Sequence, residues 1–230
     1  MKQIIFFIFF IFFEITFSQE QSIDCATTIT MNQNVKNFKI LKYSEGFFMK
    51  KIQNFKNVNN EIPENLLISV LSSSNIDWYN FNREKKAEKT TQNFTYISKV
   101  SQKDYYCQLK YRISFEANGI EYAVIKYVLY DNKKEYGFAE SMKKIKNRWY
   151  TTTDSSVTNL VFFMGMIETK YIDSIFNNLE SDNPFLNKMI SKCLENNRIN
   201  LIKILKELQI SINKKEKEIL PVLDSQRIFK

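Results

Sequence analysis

Between Tyr105 and Glu116 every second residue is large and apolar: Tyr105, Cys107, Leu109, Tyr111, Ile113 and Phe115 alternate with Tyr106, Gln108, Lys110, Arg112, Ser114 and Glu116. A period of two belongs to a strand, whose successive side chains point to opposite faces. The pattern predicts one apolar face and one wet face. Ala117-Asn118-Gly119 ends the run, and Asn-Gly is the strongest short hairpin signal because both residues tolerate positive φ. The returning segment from Ile120 to Tyr130 sets Tyr122, Val124 and Val128 against Ala123, Ile125, Tyr127 and Leu129. Being apolar on both sides, it belongs at the centre of a sheet. Asp131-Asn132-Lys133-Lys134 reads as a turn, Tyr136 to Ile145 as a further long strand, and Lys146-Asn147 as the turn into Arg148 to Thr153. Phe94, Tyr96 and Val100 are assigned to the strand that opens this meander. The expectation is an α+β fold: a curved antiparallel β-meander of four to five strands, with a leading helix and a C-terminal group of helices.

Pro63 begins the leading helix, with Glu64 complementing its N-terminal dipole. Leu66, Leu67, Val70 and Leu71 form its apolar stripe, which Trp78 continues beyond Ser72-Ser73-Ser74. Upstream, Phe38, Ile40 and Phe47-Phe48 suggest one strand, or two short ones around Glu45-Gly46. After the sheet, Asp154 or Ser155 caps a helix carrying Leu160, Phe163, Met164 and Ile167 toward Tyr171 and Ile175. Asp182 or Asn183 caps a second helix that starts at Pro184 and runs to about Asn196. A third is expected from about Arg198 to Leu208.

The N-terminus carries an address. Lys2 precedes an unbroken apolar run of ten residues, Ile4 to Phe13, and Thr16-Phe17-Ser18 places small residues at the −3 and −1 positions of a cleavage site. That is the anatomy of a secretory signal peptide, and the run is well short of the roughly 20 residues that span a bilayer. The organisation expected is a signal peptide (1–18), an N-terminal extension with short strands (19–62), a helix-plus-sheet core (63–153), C-terminal helices on the same domain (154–215) and a tail (216–230). The destination is the periplasm or the extracellular space, with membrane contact only through the transient leader. Export permits disulfides, but three cysteines, Cys25, Cys107 and Cys193, leave at least one unpaired.

The block from Pro63 to Thr153 resembles the cystatin-like and nuclear-transport-factor-2-like group. The residues that carry the resemblance are the leading helix ending near Trp78, the hairpins at Asn118-Gly119 and Asp131-Asn132, and the closing strand Arg148-Trp149-Tyr150. It implies a pocket in the concave sheet, where isomerases of this fold pair an acid with an aromatic ring. Asp77 beside Trp78 loosely matches that pairing.

There is no histidine, which removes Ser-His-Asp and Cys-His hydrolysis and the usual zinc ligand sets. The four glycines, at 46, 119, 137 and 165, are scattered, so no phosphate-binding loop exists. No cofactor and no metal is implied. Carboxylate chemistry remains, centred on Asp77 or on Glu140, which shares a face with Phe138 and Met142. Tyrosines crowd the meander and offer walls for a ligand. The candidate binding residues are therefore Asp77, Trp78, Tyr111, Tyr122, Glu140 and Trp149. The leading expectation is an exported, non-enzymatic domain that binds a small ligand or a protein through its sheet. The alternatives are a carboxylate and tyrosine enzyme, or an envelope protein. The net charge of +8 makes an anionic surface a candidate contact of the basic C-terminal helices, while export disfavours nucleic acid.

Overall fold

Alternation and hairpin chemistry place the long strands where the sequence puts them. The structure, a computed structural model, describes residues 21–22, 35–84, 91–102, 106–131, 134–177, 180–195, 198–200, 203–204 and 206–207. Along the chain come β1 (Gln21–Ser22), β2 (Val35–Lys42), β3 (Phe48–Met49), a 3-10 turn (Phe55–Asn57), α1 (Pro63–Ser72), α2 (Ile76–Phe81) and α3 (Thr91–Gln102). Then follow β4 (Tyr106–Ala117), β5 (Ile120–Asp131), β6 (Lys134–Ile145), β7 (Arg148–Thr151), α4 (Ser155–Met166), α5 (Thr169–Asn177), α6 (Pro184–Cys193), β8 (Leu194–Glu195) and β9 (Arg198–Ile199). The fold is α+β. One antiparallel sheet runs in the order β1-β2-β4-β5-β6-β7, and β3 pairs with β4 beyond the end of β2. Asn118 and Gly119 adopt φ of 53° and 74°, the left-handed pair that joins β4 to β5 without splaying them.

The alternation in β4 does not produce one apolar face. Leu109 pairs with Tyr127, but Tyr111 pairs with Lys126, so β4 carries one extra residue, Lys110, against an unbroken β5. This bulge reverses which side the odd-numbered residues take. Cys107 and Leu109 join Ala123, Ile125, Tyr127, Leu129, Met142 and Trp149 under α1 and α3. Tyr111, Ile113 and Phe115 cross to the other side and join Tyr122 and Val124 under α4, α5 and α6. Both faces are therefore packed, each by its own helical layer, and β5 lies buried between them.

Four further expectations are corrected. The run from Leu160 to Ile175 is two helices, α4 ending at Met166 and α5 starting at Thr169. Phe94, Tyr96 and Val100 lie in a helix, α3, because Phe94 and Ile97 share one helical face packed on α1 and Tyr79. The stripe from Leu66 to Trp78 is two helices: α1 stops at Ser72, and the Asn75 side chain, accepting from Trp78 N at 2.9 Å, starts α2 afresh. The second C-terminal helix ends at Cys193 rather than Asn196, because β8 and β9 form a small hairpin there, and helical residues resume only after Asn200. The leader, Cys25, Tyr105, the Asn132-Lys133 turn and the tail lie outside the described residues.

A buried polar knot fastens α1 and α2 to the sheet. Asn82 Oδ1 accepts from Asn60 Nδ2 (2.9 Å) and Ser69 Oγ (2.8 Å), Asn82 Nδ2 donates to Ser73 Oγ (3.2 Å), and Trp78 Nε1 donates to Ser69 Oγ (2.9 Å). The carbonyls of Asn60 and Asn82 accept from the β7 amides of Trp149 and Thr151. Each of these buried polar groups would cost about 1–3 kcal/mol if left unpaired.

Deleting Lys110 is expected to abolish folding, because it forces Cys107 and Leu109 out of their layer, whereas Lys110→Ala shifts stability by less than about 0.5 kcal/mol. Near-UV circular dichroism and urea unfolding of the two variants check this.

Candidate functional site

The two helical layers cover opposite ends of the sheet, which leaves an open end on each face. On the side of α4, α5 and α6 the uncovered end carries Phe48, Tyr106, Gln108 and Tyr130, set side by side by the pairs Phe48–Gln108 and Tyr106–Tyr130. Tyr106 is 70% exposed and Phe48 47% exposed. The Phe48 ring lies 6.2 Å from each tyrosine ring, at 76° to Tyr106 and 60° to Tyr130, so the three rings form an angled seat rather than a flat plate. The Tyr130 hydroxyl donates to Gln108 Oε1 at 2.8 Å.

Gln108 is also the border of an adjoining cleft of about 650 Å³. Its walls come from the β2–β3 loop (Tyr43, Ser44, Glu45), the bulge (Lys110, Tyr111), Glu135 of β6 and the start of α5 (Glu168, Lys170, Asp173). Asp173 accepts from the Tyr111 hydroxyl at 2.8 Å and pairs with Lys42. Burial and that carboxylate both push the Tyr111 phenol above its ordinary range, so it serves as a donor and not as a base.

A second cleft, of about 710 Å³, opens on the other face at the other end. Lys39 and Leu41 of β2, Arg112 and Glu116 of β4, Lys144 and Trp149 line it. Arg112 and the Tyr43 hydroxyl both bond Glu64 Oε1 at the start of α1, and Glu121 pairs with Lys144 at 3.1 Å.

The six candidate residues from the sequence do not meet in one constellation. Tyr111 lines the first cleft; Tyr122 and Trp149 border the second. The Tyr122 hydroxyl donates to Asp154 at 3.1 Å, and Asp154, at the N-cap position of α4, uses its carboxylate for this bond and for Lys143 instead of capping the helix. Trp78 is buried in the polar knot. Asp77 is exposed in the first turn of α2. Glu140 is half-buried beside Ile125 on the α1–α3 face and lines neither cleft. Burial pushes its carboxyl up to about 7, against a bond from the Ser141 backbone and the charge of Arg83. The six candidates leave out Phe48, Gln108 and Asp173, and also Tyr106 and Tyr130, which the sequence places only among the tyrosines that crowd the meander. The available signal was Tyr106, an aromatic ring at a position the alternation marks as wet.

Beside the cleft lies an unusual cation. Lys126 is fully buried next to Tyr111, and its ammonium donates to the carbonyls of Met164 (2.5 Å) and Ile167 (2.6 Å) at the C-terminal end of α4. These carbonyls form the negative pole of the helix, which suits a cation. Desolvation still pulls the amine down to about 7, while the charges of Glu135 and Glu168, two walls of the cleft, hold it up. Burial pushes the Cys107 thiol up to about 12, and Cys107 and Cys193 are free thiols on opposite faces of the sheet. No helix among the described residues is long and apolar enough to cross a membrane. Comparison with protein-family models, with curated proteins and with solved structures finds no match to this chain.

Two pH dependences follow. The native amine of Lys126 releases its proton near 7 and the unfolded one near 10.5, so the unfolded chain binds more protons between those values and stability rises with pH across that window. Relative to Lys126→Met, the unmodified chain is expected to gain about 1 kcal/mol per pH unit from pH 7 to 9; parallel urea-unfolding profiles would mean that the two carbonyls keep the amine charged. Glu140 has the opposite sign: its native carboxyl titrates near 7 against 4.5 unfolded, so stability falls as pH rises through that window. Glu140→Gln is expected to stabilise by about 1–3 kcal/mol at pH 8 and to leave stability nearly unchanged at pH 4, read by thermal unfolding at the two values.

Proposed function

We propose that this chain is an exported binding domain whose recognition surface is the open end of the sheet formed by Phe48, Tyr106, Gln108 and Tyr130 together with the adjoining cleft. The observation that carries the reading is the exposure of these aromatic rings. A sheet that buries Tyr111, Tyr122, Tyr127 and Trp149 leaves Tyr106 and Phe48 in water, where they contribute little to the core. The carboxylates nearby support binding over catalysis: Asp173 is held by Lys42 and Tyr111, and Glu168 and Lys170 sit 3.9 Å apart. Export rests on the leader, and a ligand seat on an antiparallel sheet with a leading helix accords with the resemblance to the nuclear-transport-factor-2-like group. The position differs, since the side chains of Leu66, Leu67 and Leu71 fill the space between α1 and the sheet.

A carboxylate enzyme is the second reading, favoured by the raised pKa of Glu140. It would require substrate to reach that side chain from outside both clefts.

Expression of the full chain through a secretory route is expected to yield a product whose mass begins at Gln19. A photo-reactive phenylalanine analogue at position 106 is expected to capture a ligand from the extracellular fraction, and the same analogue at the exposed Phe162 of α4 is not. Retention of the leader would remove the export half of the proposal, and equal capture at the two positions would remove the binding half.

A further inference from the structure

A row of side chains crosses the open end and narrows its ligand, on the premise that this end is the recognition surface. Tyr106, Tyr130 and Glu135 are successive cross-strand partners on β4, β5 and β6, so all three rise from the same face of the sheet. Phe48 of β3 completes the row, its ring centre 6.2 Å from each tyrosine ring. The Tyr130 hydroxyl is committed to Gln108, which leaves ring faces as the surface on offer. An aromatic face is the negative part of the ring quadrupole. Two ring centres 6.2 Å apart leave positions within about 6 Å of both, the reach of a cation–π contact. Glu135 adds a full negative charge to the row. It is exposed and has no ion-pair partner among the described residues. Burial and the charge of Glu135 together raise the Tyr130 phenol, so that charge is felt at the ring. The cations nearby are mostly occupied: Lys42 by Asp173, Lys170 by Glu168 and Asp182, and the buried Lys126 by the carbonyls of Met164 and Ile167. Around the cleft three lysines face four carboxylates, although the whole chain carries a net charge of +8.

We propose that Phe48, Tyr106, Tyr130 and Glu135 form a seat for a small organic cation, an alkylated ammonium ion. Such an ion spreads its charge over the carbons attached to nitrogen, so it is weakly hydrated and lies readily against ring faces. Glu135 balances the charge from one side of the row. The rings are stiff side chains, so ordering them on a ligand costs little. Open ladder edges flank the seat, along β3 and along β6 before Met142. An extended peptide pairing there would use the backbone of the outer strands. Tyr106 and Tyr130 stand on the inner strands, and such pairing gives their exposed faces nothing to do.

NMR titration of the exported chain tests this with tetramethylammonium and choline, beside 3,3-dimethylbutan-1-ol, which has the shape of choline without its charge. Binding of at least one of the two cations is expected, about tenfold tighter than the alcohol and weakened by added sodium chloride. Tyr106→Ala and Glu135→Gln are each expected to weaken it about threefold to tenfold, while Tyr106→Trp retains it and Phe162→Ala leaves it unchanged. Tyr106 and Glu135 are exposed, and near-UV circular dichroism of each variant confirms that the fold persists. Spectra unchanged by both cations, equal affinity for the alcohol, or undiminished binding by Glu135→Gln overturns the proposal. Capture of a ligand by the photo-reactive group at position 106, with spectra unchanged by both cations, overturns the cation and leaves the binding surface standing.

Discussion

One extra residue in a long strand organises this molecule. A regular β4 would direct all its odd-numbered side chains to one side, and only one helical layer would find apolar surface on that strand. The bulge at Lys110 divides the strand into two apolar stretches facing opposite ways, Cys107 and Leu109 on one side and Tyr111, Ile113 and Phe115 on the other. Two layers then pack on one sheet, each displaced toward its own end. Burial of apolar area drives both, at roughly 25 cal/mol per Å². Because neither layer spans the whole face, the uncovered ends remain as the two clefts.

Much of the sheet was legible in the sequence, because a period of two and an Asn-Gly turn are local signals. The hairpin at Asn118-Gly119, the central place of β5 and the closing strand with Trp149 all follow from them. The bulge was not legible. Cys107, Leu109, Tyr111 and Ile113 keep perfect alternation in sequence, and only pairing with Tyr127 and Lys126 shows that the faces change. The α3 segment misled for a related reason: Phe94, Tyr96 and Val100 are strand-loving residues whose helical face, Phe94 with Ile97, gains from packing on α1. The candidate site was less legible still. Aromatic residues were sought at buried positions such as Tyr111 and Tyr122, whereas the exposed rings are Tyr106 and Phe48, on strands joined only by long-range pairing.

Polar groups inside the protein share one design. Where an ionisable or amide side chain is buried, its partners are mostly backbone or neutral groups held by another element: Lys126 on the carbonyls ending α4, and Asn82 on Asn60, Ser69 and Ser73. Such bonds add little net stability, but losing one is costly, so they specify which helix sits where. Lys126 fixes the end of α4 over the sheet, and the Asn82 knot fixes α1 and α2 against β7. Lys143, held by the carboxylates of Glu84 and Asp154, and Glu64, whose Oε1 serves both Arg112 and Tyr43, depart from this pattern, and Glu64 Oε2 and Asn60 Oδ1 are buried with no partner among the described residues.

The strand β2 borders both openings. Lys42 at its end faces the first cleft, where it meets Asp173, while Lys39 to Leu41 edge the second. The two hollows, on opposite faces of the sheet, therefore meet in a single ribbon of backbone, and any substitution along its second half borders one of them.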